Sequence, residues 1–172
     1  MGRYRPPQKR GSPYITAEGH ARLKDELKAL WKKRAKVTQI LSEAAAEGDR
    51  SENAEYIYRK KQLREMDRRI RYLQKRLDEL IIVNSKPGDT NRVFFGAWVE
   101  LEDEKGKVLK YRIVGADEFD IKEGLISMDS PMGQALMKKA VDDEVTVTLP
   151  GGCKTYLITD ICYSIEQGKG ER

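Results

Sequence analysis

Apolar residues recur at alternating steps of four and three along two long stretches of the chain. The first stretch runs from Leu23 to Ala44 with Arg34 as its polar interruption, and the second runs from Tyr56 to Leu80. This heptad spacing predicts two helices that pack along a coiled-coil seam. Seam positions of antiparallel helices pair with a nearly constant sum of residue numbers, which places the reversal near residue 51 or 52. The pattern therefore predicts an antiparallel hairpin over residues 15–83.

Local signals set the limits of this hairpin. Thr16 is a suitable N-cap for the first helix, and Gly48 can end that helix in a left-handed conformation. The second helix is predicted to begin at Ser51 or Glu52 and to continue to Val83. Residues 84–91 contain a proline and a glycine and are predicted to form a linker. Residues 1–14 are rich in arginine, lysine, proline and glycine, so we expect a disordered basic leader there.

Beyond the linker, the apolar period changes from helical to alternating. Strands are predicted at 97–102, 110–114, 125–128, 144–149 and 153–163. Ser130 and Pro131 suit the N-cap and first position of a short helix that continues to Lys139. The predicted fold class is α+β, with the long hairpin followed by a small β-rich domain at 92–165 and a flexible tail at 166–172.

Charge is distributed unevenly along the chain. Residues 1–83 contain 21 basic and 12 acidic residues, whereas residues 84–172 contain 12 and 16. No apolar stretch reaches the roughly 20 residues that a membrane span requires, and the first residues show no signal-peptide pattern. We therefore expect a cytoplasmic protein that binds no membrane. Two cysteines without a CxxC pattern and a single histidine argue against a zinc site or a cysteine nucleophile.

Basic side chains follow one face of the second predicted helix. Nine basic residues stand against two acidic ones between Ile57 and Arg76. Such a face suits a phosphate backbone, and the alternative is an ordinary solvated helix face. The charge excess favours contact with a nucleic acid or another polyanion. We call this set the basic stripe, and its members recur at steps of four or three: Lys60, Arg64, Arg68, Arg71 and Lys75.

Acidic residues are concentrated near the predicted reversal. Asp49 and Glu52 lie three residues apart and can place two carboxylates on one side of the bend, where they offer the oxygen ligands that Mg²⁺ prefers. Two carboxylates do not complete a magnesium site, so such an ion would be shared with a partner. The alternative is a capping arrangement, in which the same carboxylates accept backbone N–H groups. Spacing alone favours the cap.

Three segments together carry a family resemblance. The sequence Gly-Asp-Arg-Ser-Glu-Asn-Ala-Glu-Tyr at 48–56, with 93–99 and 126–132, resembles the bacterial Gre transcript-cleavage factors and is most similar to the GreB branch. The resemblance covers roughly residues 14–163. It implies that the β-rich domain is similar to the FK506-binding-protein fold. It also implies that the hairpin enters the secondary channel of a backtracked RNA polymerase.

The resemblance implies specific roles at the reversal. Asp49 and Glu52 would help hold a second Mg²⁺ in the polymerase active site and orient the attacking water, with Ser51 and Asn53 in support. The ion would be shared with RNA polymerase, and the isolated chain would bind none. The chain would then be an accessory factor, not an enzyme, that stimulates the polymerase's own RNA hydrolysis and rescues arrested complexes.

The remaining partners are implied in the same way. The basic stripe is available for the 3′ end of backtracked RNA. Asp129, Ser130 and Pro131 match the family's docking loop, which contacts the rim of the polymerase channel. We expect the factor to act as a monomer.

Two other functional classes stay open on the sequence. A regulator of similar architecture can occupy the polymerase channel and inhibit it without promoting cleavage, although the acids at 49 and 52 argue against this. A peptidyl-prolyl isomerase or chaperone is suggested by the FK506-binding-like domain. An isomerase needs an aromatic-lined pocket, and alternation places several aromatic residues of this domain in the core; fold analogy alone is a weak basis for an activity.

Overall fold

The computed structural model describes residues 11–46, 54–84, 87–149 and 151–163 of the 172-residue chain. The helices are α1 (Ala17–Ala46), α2 (Ala54–Glu79) and α3 (Pro131–Leu136). The strands are β1 (Tyr14–Ile15), β2 (Ile81–Ile82), β3 (Trp98–Asp103), β4 (Val108–Val114), β5 (Leu125–Ser127), β6 (Glu144–Leu149) and β7 (Gly152–Cys162). The α+β class is as predicted. No helix within these ranges is long and apolar enough to cross a membrane.

The chain divides into two compact units. Of the described residues, those within Glu18–Leu80 form the hairpin unit, while those up to Ala17 and those from Ile81 onward form the β unit. The β unit therefore contains chain from both sides of the hairpin. This division differs from the predicted one, which ran from the hairpin at 15–83 to a β-rich domain beginning at residue 92.

The two helices of the hairpin unit pack against each other along the predicted seam. Leu23 and Val37 of α1 and Met66, Ile70 and Leu73 of α2 are all buried. The other seam side chains within the described ranges are at least partly buried, including Arg34 and Arg59. Since α1 and α2 carry their apolar residues at heptad spacing, packing one apolar stripe against the other removes both from water.

Two ion pairs join the helices and fix their direction. The Arg34 Nε lies 2.6 Å from Asp67 Oδ1. The Arg69 guanidinium donates two hydrogen bonds to Glu26, with N–O distances of 2.7 and 2.8 Å. Because the later residue of α1 pairs with the earlier residue of α2, the helices run antiparallel, as predicted.

The hairpin is shorter at its base than the sequence predicted. Helix α2 ends at Glu79 and not at Val83, because β2 follows and pairs in parallel with β1. Pro13 O accepts from Ile81 N–H at 2.8 Å, and Ile15 O accepts from Val83 N–H at 2.9 Å. The last four residues of the predicted leader therefore belong to the described fold, and Tyr14 is part of a strand. Residues 1–10 lie outside the described ranges.

The β unit is built on a five-stranded sheet with strand order β5-β4-β3-β7-β6. Strands β4 and β5 pair in parallel, and the other neighbours pair antiparallel. Each predicted strand is found with ends within two residues of the prediction. The core of the β unit includes Val99, Leu101, Ile113 and Ile158, together with Leu136 of α3. Burying each such side chain contributes about 1.5–3 kcal/mol to folding.

Helix α3 begins as its sequence predicts. The Ser130 hydroxyl accepts from the Gly133 N–H at 3.0 Å and donates to the Ser127 carbonyl at 2.6 Å, and Pro131 occupies the first turn. The helix ends at Leu136, three residues before the predicted Lys139. Lys138 has a φ of 67°, a left-handed conformation that a continuing helix cannot contain.

Candidate functional site

The predicted acidic pair belongs to the segment that joins α1 and α2. Helix α1 ends at Ala46 and α2 begins at Ala54. The residues assigned to this site, Asp49, Ser51, Glu52 and Asn53, lie outside the described ranges, so their roles stay predictions. Within the described ranges, no group of three or more histidine, cysteine, aspartate or glutamate side chains is placed to hold a metal ion.

The basic stripe lies on a solvent-exposed face of α2. All five of its members are exposed, whereas the seam residues Met66, Ile70 and Leu73 are buried. Residues three and four apart are neighbours on a helix surface, so the five cations form a continuous row. Lys60 Nζ also lies 5.6 Å from the centre of the Tyr56 ring. The row can contact successive phosphates of a nucleic-acid strand.

Part of the charge excess on α2 is not available to a polyanion. Arg76 was counted in that excess, but only 7% of its surface is exposed, and its guanidinium lies 3.9 Å from Glu79. Arg69 is engaged with Glu26 of α1. The cations that can contact a phosphate backbone are therefore fewer than the nine counted in the sequence. The five residues of the basic stripe are all exposed and remain available.

The contact with Arg69 also favours the ionised form of the Glu26 carboxyl group. Hydrogen bonds from Arg69 lower the pKa of the Glu26 carboxyl, and partial burial opposes this only in part. Glu26 is thus a carboxylate at neutral pH. A charged acceptor strengthens both hydrogen bonds and fixes the orientation of the guanidinium.

Exposed aromatic rings beside arginines are a feature that sequence reasoning missed. Trp31, Tyr58 and Tyr72 are 46%, 61% and 46% exposed. The guanidinium carbons of Arg34, Arg59 and Arg69 lie 5.7, 5.7 and 5.2 Å from the centres of these three rings, respectively. The available signal was an aromatic residue that lies off the heptad seam and has an arginine within three residues along the chain.

The candidate docking loop is Asp129, Ser130 and Pro131. The Asp129 carboxylate accepts the Ser12 N–H at 2.7 Å through Oδ2 and the Ser12 hydroxyl through Oδ1. The Asp129 N–H donates to Ser127 Oγ at 3.1 Å, so the loop is braced on both sides. Pro131 is exposed, and Ser130 caps α3. Sequence reasoning missed Ser12 because it lies 117 residues before its partner.

A buried carboxylate fastens the same N-terminal segment to the β unit. Glu118 is 5% exposed and accepts the N–H groups of Thr16 and Gly115, each at 3.0 Å, and the Thr16 hydroxyl. Such a group is costly to bury unless hydrogen-bond donors surround it, and here three do. Ile15 beside it is fully buried. The described residues that precede α1 are therefore an integral part of the β unit.

Comparison with protein families gives two adjacent matches. Residues 13–82 match the family described as "Transcription elongation factor, N-terminal". Residues 88–163 match the family described as "Transcription elongation factor, GreA/GreB, C-term". The two matches together span the hairpin and the sheet.

Two individual relatives agree with the family matches. The chain is 57% identical to transcription elongation factor GreB of Pseudomonas aeruginosa, over 95% of this chain and 98% of the relative. It is 57% identical to the protein of the same name from Xanthomonas axonopodis pv. citri, over 95% and 99%. Among solved structures, GreA factor homolog 1 of Thermus thermophilus is 26% identical, with coverage of 87% and 97% and a TM-score of 0.41.

Proposed function

The chain belongs to the GreA/GreB family of transcription elongation factors, in its GreB branch, and we propose that it binds RNA polymerase and stimulates cleavage of backtracked RNA. The polymerase performs the hydrolysis, and this chain acts as an accessory factor. One observation carries the proposal: the similarity to GreB extends over 95% of the chain, so it includes hairpin and β unit together. The acids of the joining segment, Asp49 and Glu52, fit the same proposal.

The hairpin is the part that enters the secondary channel. Its two helices run antiparallel, so the segment between Ala46 and Ala54 lies where the chain reverses. Carboxylate oxygens are suitable ligands for Mg²⁺, so Asp49 and Glu52 fit an ion held mainly by the polymerase and the RNA. That ion, when bound, supplies an activated water for phosphodiester hydrolysis. Ser51 and Asn53 flank the acids and would support them through hydrogen bonds.

The remaining surfaces divide binding between RNA and protein. The exposed basic stripe receives the extruded 3′ segment of the RNA, because a row of solvent-facing cations suits its phosphates. The β unit docks on the rim of the channel through the loop at 129–131. In this scheme the hairpin delivers the acids, and the β unit supplies affinity for the polymerase.

The decisive experiment follows cleavage of 3′-labelled RNA in stalled, backtracked polymerase complexes with Mg²⁺. Wild-type protein should release short 3′ fragments, and Asp49→Asn should lower the cleavage rate at least about tenfold, because an amide is a poorer metal ligand than a carboxylate. Polymerase affinity, measured in parallel, should change little. Asp78→Asn is the matched control, since Asp78 is an exposed acid on α2 that the proposal does not use.

Two results would contradict this assignment. Equal loss of cleavage and of polymerase binding in Asp49→Asn would show that the carboxylate serves docking and not chemistry. Binding of the wild-type chain without any stimulated cleavage would instead favour a factor that occupies the channel and inhibits the polymerase.

A further inference from the structure

Tyr72 lies at the edge of the basic stripe. On α2 it is four residues after Arg68 and three before Lys75, both exposed members of the stripe. Residues at these separations are surface neighbours on a helix. Tyr72 is 46% exposed, although burial of an aromatic side chain would be favourable. The hairpin thus keeps a partly exposed aromatic residue beside two exposed cations of the basic stripe.

The ring is held in place from the opposite helix. Glu26 of α1 accepts two hydrogen bonds from Arg69, at 2.7 and 2.8 Å. The Arg69 guanidinium carbon lies 5.2 Å from the centre of the Tyr72 ring, within the range of a cation–π contact. Since a two-point contact fixes the guanidinium, the ring beside it is restrained as well. A restrained ring loses less conformational entropy on binding a ligand than a mobile one.

We propose that Tyr72 stacks on one base of single-stranded RNA whose phosphates lie on the basic stripe. The pairing of aromatic rings with a cationic groove is how proteins bind single strands without sequence preference, because every base has a flat π face. Duplex bases are already stacked, so the site selects unpaired RNA. This inference rests on the proposed function, in which an extruded RNA 3′ segment passes the hairpin.

The test compares two probes that share negative charge but not bases. One is a fluorescent single-stranded RNA of mixed sequence, and the other is inorganic polyphosphate. Tyr72→Ala should weaken RNA binding roughly 5- to 150-fold, the range expected for one stacked base. It should leave polyphosphate binding unchanged. Tyr72→Phe should bind RNA like wild type, and Tyr72→Leu, which keeps apolar bulk without a π system, should not.

Two controls separate stacking from other effects. The triple substitution of Lys60, Arg64 and Arg68 by alanine should weaken binding of both probes, because it removes charge. Phe119→Ala removes an aromatic residue that is 57% exposed in the β unit and should affect neither probe. Circular dichroism of each hairpin variant should match wild type, which confirms that α2 still folds.

Two outcomes would overturn the inference. They are equal RNA affinities of wild type and Tyr72→Ala, and a parallel loss of polyphosphate and RNA binding in Tyr72→Ala. The transcript-cleavage assay reports separately on the proposed function. Wild-type protein that binds RNA through Tyr72 but does not stimulate cleavage would refute the function and leave the stacking site intact.

Discussion

Asp129 and Ser12 form a contact that gives the loop before α3 a structural role. Both carboxylate oxygens of Asp129 accept hydrogen bonds from Ser12, so this side chain fastens the N-terminal segment while it belongs to the proposed docking loop. Loss of polymerase affinity in an Asp129 variant therefore has two explanations. Either the carboxylate contacts the polymerase, or it holds the loop in the docking conformation.

A charge exchange distinguishes these two explanations. Ser12→Asp places two carboxylates together and Asp129→Asn loses a charged acceptor, so each should weaken polymerase binding roughly tenfold, in line with the loss of a hydrogen bond of about 1–1.5 kcal/mol. In the double variant, the amide introduced at position 129 can donate to the carboxylate introduced at position 12. Affinity for polymerase should then return to within about twofold of wild type. Persistent weakness of the double variant would indicate that Asp129 contacts the polymerase directly.

Single residues also show where sequence reasoning fails. The exposure of the basic stripe followed from spacing alone, because seam positions determine which face of α2 is solvated. The burial of Glu118 could not be foreseen, since carboxylates are usually exposed and Thr16, which donates two of its hydrogen bonds, lies 102 residues earlier. Arg76 was wrongly counted as an available cation because its burial depends on tertiary packing.

At the scale of elements, the contact between Arg69 and Glu26 makes the stability of the hairpin depend on pH. The pKa of Glu26 is lowered in the folded state, chiefly by hydrogen bonds from Arg69. Its contribution is therefore present above the unfolded pKa of about 4.3 and is lost as the pH falls through the lower folded value. Because Arg69 and Glu26 are 44% and 38% exposed, the pair contributes only about 0.2–1 kcal/mol.

Thermal unfolding of a Glu26→Gln variant measures this contribution. At pH 7 its melting temperature should be roughly 1–4 °C below that of wild type. The difference should shrink as the pH is lowered from about 5 to about 3, because wild-type Glu26 then gains a proton. Asp25→Asn is the control, since Asp25 is 77% exposed beside Lys28. A melting difference that is constant with pH would refute the role of the Glu26 charge.

Long periodic elements were predictable from the sequence, and short ones were not. A heptad repeat over α1 and α2 or an alternation over β6 gives many consistent positions, so their existence and type follow directly. Strands β1 and β2 have two residues each and no period of their own. Apolar residues at the end of α2 extend its helical pattern, and only pairing with β1 converts Ile81 and Ile82 to a strand.

At the scale of the whole molecule, the residue pattern predicted the class and the order of parts but not the division into units. The change from heptad to alternating periodicity located a boundary near the predicted linker. It could not assign residues 11–17 to the β unit, because that assignment depends on Ser12, Ile15 and Thr16 meeting residues far along the chain. Helix spacing predicted that Asp49 and Glu52 lie between the two helices, whereas the chemistry proposed for them rests on the family resemblance.

The parallel pairing of β1 and β2 means that the hairpin is an insertion within another domain. The chain leaves the β unit at Ala17 and returns at Ile81, and the strands on either side of the insertion are direct neighbours. Excising residues 18–80 and bridging the gap with a short glycine linker should leave a module that keeps the Ser12 and Thr16 contacts. A fragment that starts at residue 84 would lack both, and Glu118 would lose the donors from Thr16.

An excised module of this kind should act as a decoy. It would retain the proposed docking loop and lack the acids and the basic stripe, so it should displace the full-length factor from polymerase and suppress cleavage in proportion to occupancy. Competition binding and the cleavage assay, run with the same titration of module, check this. If the module folds but does not compete, most of the affinity must come from the hairpin. Because Ala17 and Ile81 flank the insertion, removing the hairpin would separate the proposed binding to polymerase from the proposed action on its RNA.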